Sequence, residues 1–296
     1  VDDRINPAGI WPFALVHLMC LGVFFVGWSW VAVGVCAFNY FIRMFGITGG
    51  YHRYFSHRSY KTSRPFQFLL AWLACSSAQK GPLWWAAHHR HHHRYSDTEK
   101  DEHSPHTHSL FFSHVGWIFA PRNKMTDYKA VRDFGIYPEL VLLDRYHLVA
   151  PWVLGFAMFG LGWLLEALAP GLGTTRWQML IWGFFVSTVL LYHGTFSINS
   201  LAHLYGNRRF ETGEHSRNNF WLALITLGEG WHNNHHFFPA SERQGFYWWE
   251  IDVSHYILKG LEKLGLVREL REPPRHLLEK APRARSNQPQ ARRAVS

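Results

Sequence analysis

No Asp, Glu, Lys or Arg interrupts residues 10–42, and after Arg43 the apolar character resumes in MFGITGGY. That run is too long for a single bilayer crossing of about 20 residues, so it predicts a helical hairpin turning near Gly27 to Ser29. A second pair of apolar segments, HLVAPWVLGFAMFGLGWLLEALA and WQMLIWGFFVSTVLLYHGTFSI, is joined by the short PGLGTTR turn. Four spans are predicted, over residues 10–27, 29–48, 147–169 and 177–198. A fifth apolar stretch, residues 66–85, is broken by CSSAQKGP and flanked by charge. Its pattern suits an interfacial or cytosolic helix better than a crossing.

The segments between the pairs are polar and basic, with Arg53, Arg58, Lys61, Arg64, Arg90, Arg94, Arg122 and Lys124 among their residues. Positive charge beside spans marks the cytoplasmic side. Four crossings place residues 51–146 and 199–271, and with them nearly every histidine, on that one face. The predicted fold class is an all-α integral membrane protein: four transmembrane helices and a cytoplasmic helical cap, with residues 1–271 as one domain. The length of the first run, and the DDR ahead of it, argue against a cleavable signal. From residue 272 the chain reads EPPRHLLEKAPRARSNQPQARRAVS, too poor in apolar residues to order itself. It is expected to be a basic, disordered tail suited to anionic lipid.

Composition sharpens the chemistry. The 296 residues include 21 histidines but 3 cysteines, and the formal net charge is +9. Cys20, Cys36 and Cys75 lie in apolar stretches with no Cys-x-x-Cys spacing, which excludes a disulfide framework, a thiolate zinc site and an iron–sulfur cluster. The mean hydropathy of −0.14 fits a membrane anchor bearing a large polar cap.

Three histidine clusters stand out: HRYFSH (His52, His57), HRHHH (His89 to His93) and HNNHH (His232, His235, His236). The second and third share the pattern His-x-x-His-His, whose members lie on one helical face. His52 and His57, five apart, stand about 140° apart on an ideal α-helix, so they would reach a metal from different sides or across a helix end. Surface histidines, an affinity tag or metal scavenging would explain one such cluster. Three clusters on one membrane face, each joined to an apolar helix, call for a metal site. Imidazole suits iron, copper, zinc or nickel. Eight or more histidines exceed what one ion uses, so two ions are implied, in a site built on histidine rather than on the carboxylate ligands of soluble di-iron bundles.

These boxes, together with GITGGYHRYFSHRSYKTSRP, SDTEKDEHSPH, FFSHVGW, NSLAHLYG and LGEGWHNNHHFFP in that order over residues 40–240, resemble the membrane fatty acid desaturases of the stearoyl-CoA (delta-9 acyl-CoA) type. The resemblance implies an oxidoreductase that introduces a cis double bond, at the delta-9 position, into a saturated acyl chain with O₂ as co-substrate. It implies two irons held by His52, His57, His89, His92, His93, His203, His232, His235 and His236, with Asn199 acting through a water. It places Gln79, Trp85 and Thr195 around a bend in an acyl tunnel, and Tyr40 and Met44 at its far end. Where the stearoyl-CoA type has an Arg-Asp pair that contacts coenzyme A, this chain has Ala87 and His88. Acyl-carrier protein or a membrane phospholipid is therefore open as carrier beside acyl-CoA.

Each turnover needs two external electrons. No nucleotide fingerprint, cysteine cluster or His-Pro-Gly-Gly haem motif occurs in the sequence. A ferredoxin, a flavodoxin or cytochrome b5 with its reductase is expected as partner, and the basic face suits an acidic donor. Asp97, Asp101 and Glu229 are expected to orient ligand imidazoles. His17, His147 and His193 lie in or beside spans. His91, His103, His106, His108, His114, His215, His255 and His276 are expected near the ligands or on the surface. The competing functions are a membrane di-iron lipid or alkane hydroxylase and, in another class, a His-rich metal-transport protein. The latter should place ion-binding residues inside the spans, which hold almost none. No nucleic-acid recognition module is visible.

Overall fold

A computed structural model describes residues 3–279. Among these, four helices are long and apolar enough to cross a membrane: α1 (Pro7–Val26), α2 (Trp30–Ser56) and, after the intervening cap helices, Val149–Leu168 and Arg176–His203. The first hairpin turns at Gly27, whose φ of +66° lies where only glycine sits without strain. Ser29 then caps α2, its Oγ accepting from Ala32 N at 3.1 Å. Trp11, Phe24, Phe25, Trp152 and Phe156 all point outward and are exposed, an apolar belt that suits hydrocarbon rather than water.

The cap begins where α2 ends. Helix α3 (Arg64–Cys75) is too short to span, and α4 (Pro82–Tyr95) carries the second histidine cluster. Helix α5 (Pro138–Arg145) leads into α6 (Val149–Leu168) and α7 (Arg176–His203). Beyond α7 the cap includes α8 (Phe220–Ile225), α9 (His232–Phe237) and α10 (Val253–Lys263). A two-stranded antiparallel sheet, β1 (Lys61–Thr62) with β2 (Val267–Arg268), ties the two cap segments together.

Two features fix the spans against each other. At Gly162 of α6 an added Cβ would lie 2.5 Å from the Arg176 Cα, so only glycine permits this approach to α7. Arg43, buried in α2, donates to Thr188 Oγ1 (2.9 Å), Ser187 Oγ (2.5 Å) and the carbonyls of Asn39 and Ser76. These oxygens carry its donors into α7 and the end of α3, as a cation among apolar spans requires.

The start of the expected tail is tied down: Lys259 pairs with Glu272, and Tyr247 donates to the Leu278 carbonyl at 3.1 Å beside a single helical turn, Arg275–Glu279. Residues 280–296 of that tail lie outside the described residues.

Candidate metal centre

The last eleven residues of α2, Gly46–Ser56, wind as a π-helix with His57 as its C-cap. In i→i+5 winding, residues five apart stack instead of diverging, and His57 N donates to the His52 carbonyl at 3.2 Å. The two rings meet with centroids 4.8 Å apart. The angle drawn from an ideal α-helix therefore does not apply: the change of winding turns both imidazoles to one side at the helix end.

Helix α4 is aimed from outside itself. Asp144 of α5 accepts from Leu83 N (2.9 Å) and Trp84 N (2.8 Å), capping a helix whose own N-cap, Gly81, has no side chain. At mid-helix, Arg90 pairs with both oxygens of Asp133 at 2.9 Å and donates to the carbonyls of Phe55 and Ser56. That clamp sets the second cluster against the first. In α9, the buried amides of Asn233 and Asn234 turn away toward Phe210 N (2.8 Å) and Glu250 (2.8 Å). His232, His235 and His236 are left on the opposite face.

The nine histidines fall into two groups whose ligand atoms lie within 4.8 Å of one another: His52, His57, His89, His93 and His235 in one, His92, His203, His232 and His236 in the other. Each His-x-x-His-His helix thus serves both groups: α4 gives His89 and His93 to the first and His92 to the second, and α9 divides in the complementary way. The groups adjoin, since the rings of His93 and His236 stack 4.4 Å apart.

The donor geometry fits metal ions. Nε2 atoms pair at 3.0 Å (His52, His235), 2.9 Å (His57, His89), 2.9 Å (His93, His235) and 3.0 Å (His203, His232). Imidazole nitrogens about 2.1 Å from one ion and at right angles around it stand about 3.0 Å apart. The outer nitrogens fix the tautomers: His92 Nδ1 donates to Asp101 at 3.0 Å, His203 Nδ1 to Asp97 at 3.0 Å, and His52 Nδ1 to Glu229. Their Nε2 lone pairs consequently face inward. His236 Nε2 is buried without a hydrogen-bond partner among the described residues. Burial, reinforced by mutual repulsion, holds His89, His93, His232, His235 and His236 well below the ordinary histidine pKa. Neutral imidazoles with their lone pairs turned inward form a donor set that could hold metal ions.

Asp97, Asp101 and Glu229 each meet a ligand imidazole. Glu229 and His232 form a Glu-x-x-His turn, the arrangement soluble di-iron bundles use, but here the glutamate buttresses His52 instead of joining the inward nitrogens. Three further partners carry no motif: Glu214, 3.8 Å from both His203 and His236, Gln244, which donates to Glu229 at 2.9 Å, and Arg53. Asn199 lies half-buried one turn before His203 in α7.

Three of the five expected tunnel residues, Gln79, Thr195 and Met44, touch in series, while Trp85 and Tyr40 make separate contacts. Trp85 stacks on His89 with centroids 4.9 Å apart, Gln79 Nε2 donates to Thr195 Oγ1 at 3.1 Å, and Thr195 lies 4.0 Å from Met44 Sδ. Tyr40 donates to the Ile225 carbonyl at 2.7 Å. Gly194 is a residue the sequence did not single out. A Cβ there would lie 2.8 Å from Tyr40 Oη and 3.0 Å from Met44 Cε.

A fatty acid desaturase family model matches residues 28–268. The chain belongs to the fatty acid desaturase family. Its relatives include the sn-2 palmitoyl-lipid 9-desaturase of Nostoc sp. (strain 36), 34% identical over 269 residues, which are 88% of this chain and 89% of that protein. The sn-1 stearoyl-lipid 9-desaturase of Synechocystis sp. is 35% identical, covering 92% of this chain and 82% of its own. The Acyl-CoA C20 Delta5-desaturase of Anemone leveillei is also 35% identical, over 87% and 79%. This desaturase is therefore an oxidoreductase acting on acyl chains, and the metal-transport alternative falls away.

Proposed function

We propose that this desaturase introduces a cis delta-9 double bond, with O₂ and external electrons, into acyl chains carried on membrane lipids, using two irons held by the nine histidines. The observation that carries the reading is the division of those histidines into two buried groups with inward nitrogens. When bound, the irons supply the O₂-dependent oxidation of an unactivated methylene that no side chain can perform. Asp97, Asp101 and Glu229 hold the imidazole tautomers, and Asn199 is placed to hold a water beside His203. Trp85, Gln79, Thr195, Tyr40 and Met44 fix which carbon pair stands against the centre, which makes the reaction regioselective. Two relatives named for lipid-linked 9-desaturation support the carrier and the bond position. Ala87 and His88, in place of an Arg-Asp pair, support a carrier other than coenzyme A.

Both cap segments follow the C-terminal ends of spans, α2 and α7, and are rich in Lys and Arg, which supports a cytoplasmic centre. The electron donor on that side is a ferredoxin, a flavodoxin or cytochrome b5 with its reductase. Expression in a desaturase-deficient host, with lipids resolved by mass spectrometry and His92→Ala as control, tests the reading. New delta-9 unsaturation on intact lipids is expected. A hydroxy acid as main product, or no new olefin, would overturn it.

Met44 sets chain length in this scheme. Met44→Ala should raise the proportion of longer products relative to shorter ones by about tenfold, the discrimination a methylene or two carries in an apolar pocket. An unchanged product profile would remove Met44 from the tunnel's end.

A further inference from the structure

The metal ligands are closed off: His92, His203 and His232 are 2%, 1% and 2% exposed. An ion must nevertheless reach them, and three ligand groups overlap in series from the surface inward. Outermost are Asp97, His106 and His215, with both histidines exposed and ligand atoms within 4.8 Å of one another. Asp97, His203 and Glu214 form the next group, and His203 also belongs to the buried four-histidine group. Asp97 is common to the first two groups and His203 to the last two, facing the middle group with Nδ1 and the buried group with Nε2, so neighbouring groups share one ligand along the path, and an ion held in the middle group displaces the Nδ1 proton of His203.

The distances suit ligand exchange along this path. Asp97 Oδ2 lies 3.3 Å from His215 Nδ1 and 3.0 Å from His203 Nδ1. The His106 and His215 rings lie 4.0 Å apart. His106 Nε2 donates to the His203 carbonyl at 3.1 Å, which leaves Nδ1 bare as a ligand. Asp97 itself sits at φ +56°, in the left-handed region that aspartate enters more readily than most residues. Ser104 Oγ and His215 N donate to its carboxylate at 2.5 and 2.7 Å. Two imidazoles and one carboxylate suit a borderline divalent ion.

We propose that Asp97, His106 and His215 form a capture site for a divalent transition-metal ion, through which ferrous iron passes by way of Asp97, Glu214 and His203 to the four-histidine group. The inference rests on the di-iron reading above. Ligands exchange along the path and the His203 Nδ1 proton is displaced; no electron is transferred.

The full-length enzyme in detergent, stripped with a chelator and given Fe²⁺ without oxygen, provides the test. Iron incorporation is followed by metal analysis after rapid desalting, beside His215→Gln and the double variant His106→Gln with His215→Gln. Both variants should fill about tenfold more slowly, the scale on which local attraction alters association rates. Both should still reach two irons per chain and the parent's activity once filled. Equal filling rates would overturn the capture site. A lower final iron content would also overturn it, because the two histidines would then be supports of the centre. A parent enzyme that never takes up two irons would instead bring down the di-iron reading itself.

Discussion

His235→Ala will reduce desaturation by more than about a hundredfold and lower the bound iron, with the protein still folded. His235 Nε2 stands 3.0 Å from that of His52 and 2.9 Å from that of His93, so it joins ligands from α2 and α4 within the five-histidine group. Losing a partner that only orients a ligand costs about 10- to 100-fold in affinity or activity, and losing the ligand itself removes more. The fold should tolerate the change, because α9 is anchored by its asparagines. Asn218 Oδ1 accepts from Asn233 N and Asn234 N at 3.0 and 3.1 Å, and Asn234 holds Glu250 at 2.8 Å. Metal analysis of the purified variant, with product analysis by gas chromatography, checks both halves. A variant that keeps two irons and parental turnover would remove His235 from the ligand set.

The histidine boxes and the four apolar helices were legible in the sequence because both are local patterns: ligand spacing follows helical periodicity, and a span needs only an uninterrupted apolar run. Asp97, Asp101 and Glu229 were legible for a related reason, as acids within a few residues of a box. The assignment of each histidine to an ion was not, since His92 departs from its neighbours His89 and His93 while His235 departs from His232 and His236. That division depends on how α4 and α9 cross. The π-winding at Gly46–Ser56 was hidden because the sequence carries no marker of i→i+5 bonding, and it overrode an angle computed for an α-helix. Asp144 capping α4 and Gln244 reaching Glu229 are long-range contacts, 61 residues apart in the first case. Only the folded chain brings such partners together. Gly194 escaped notice for the opposite reason: its part is to leave room for Tyr40 and Met44, and an absent side chain carries no pattern.

Arg53→Met should destabilise the cap by about 3–5 kcal/mol, the usual cost of leaving buried charges without their partner. Arg53 is 1% exposed and stands between two acids, donating to Glu229 Oε1 at 3.1 Å, Asp252 Oδ1 at 2.9 Å and the Glu242 carbonyl at 2.7 Å. Methionine fills similar space but leaves both carboxylates facing each other in the interior. Asp252 also caps α10 through His255 N at 3.0 Å and receives Gln244 N at 2.7 Å, so its displacement would loosen three segments together. Glu229 is the acceptor that fixes His52, and the substitution should therefore weaken iron binding as well as lower the melting temperature. Arg53→Lys separates the two effects. Lysine restores the charge but not the guanidinium fork that reaches two acids and a carbonyl at once. It should recover part of the stability and less of the iron affinity. Thermal unfolding in detergent and iron content per chain are the measurements. A methionine variant with parental values for both would show that Glu229 and Asp252 are neutralised by other groups, and that His52 is held without this arginine.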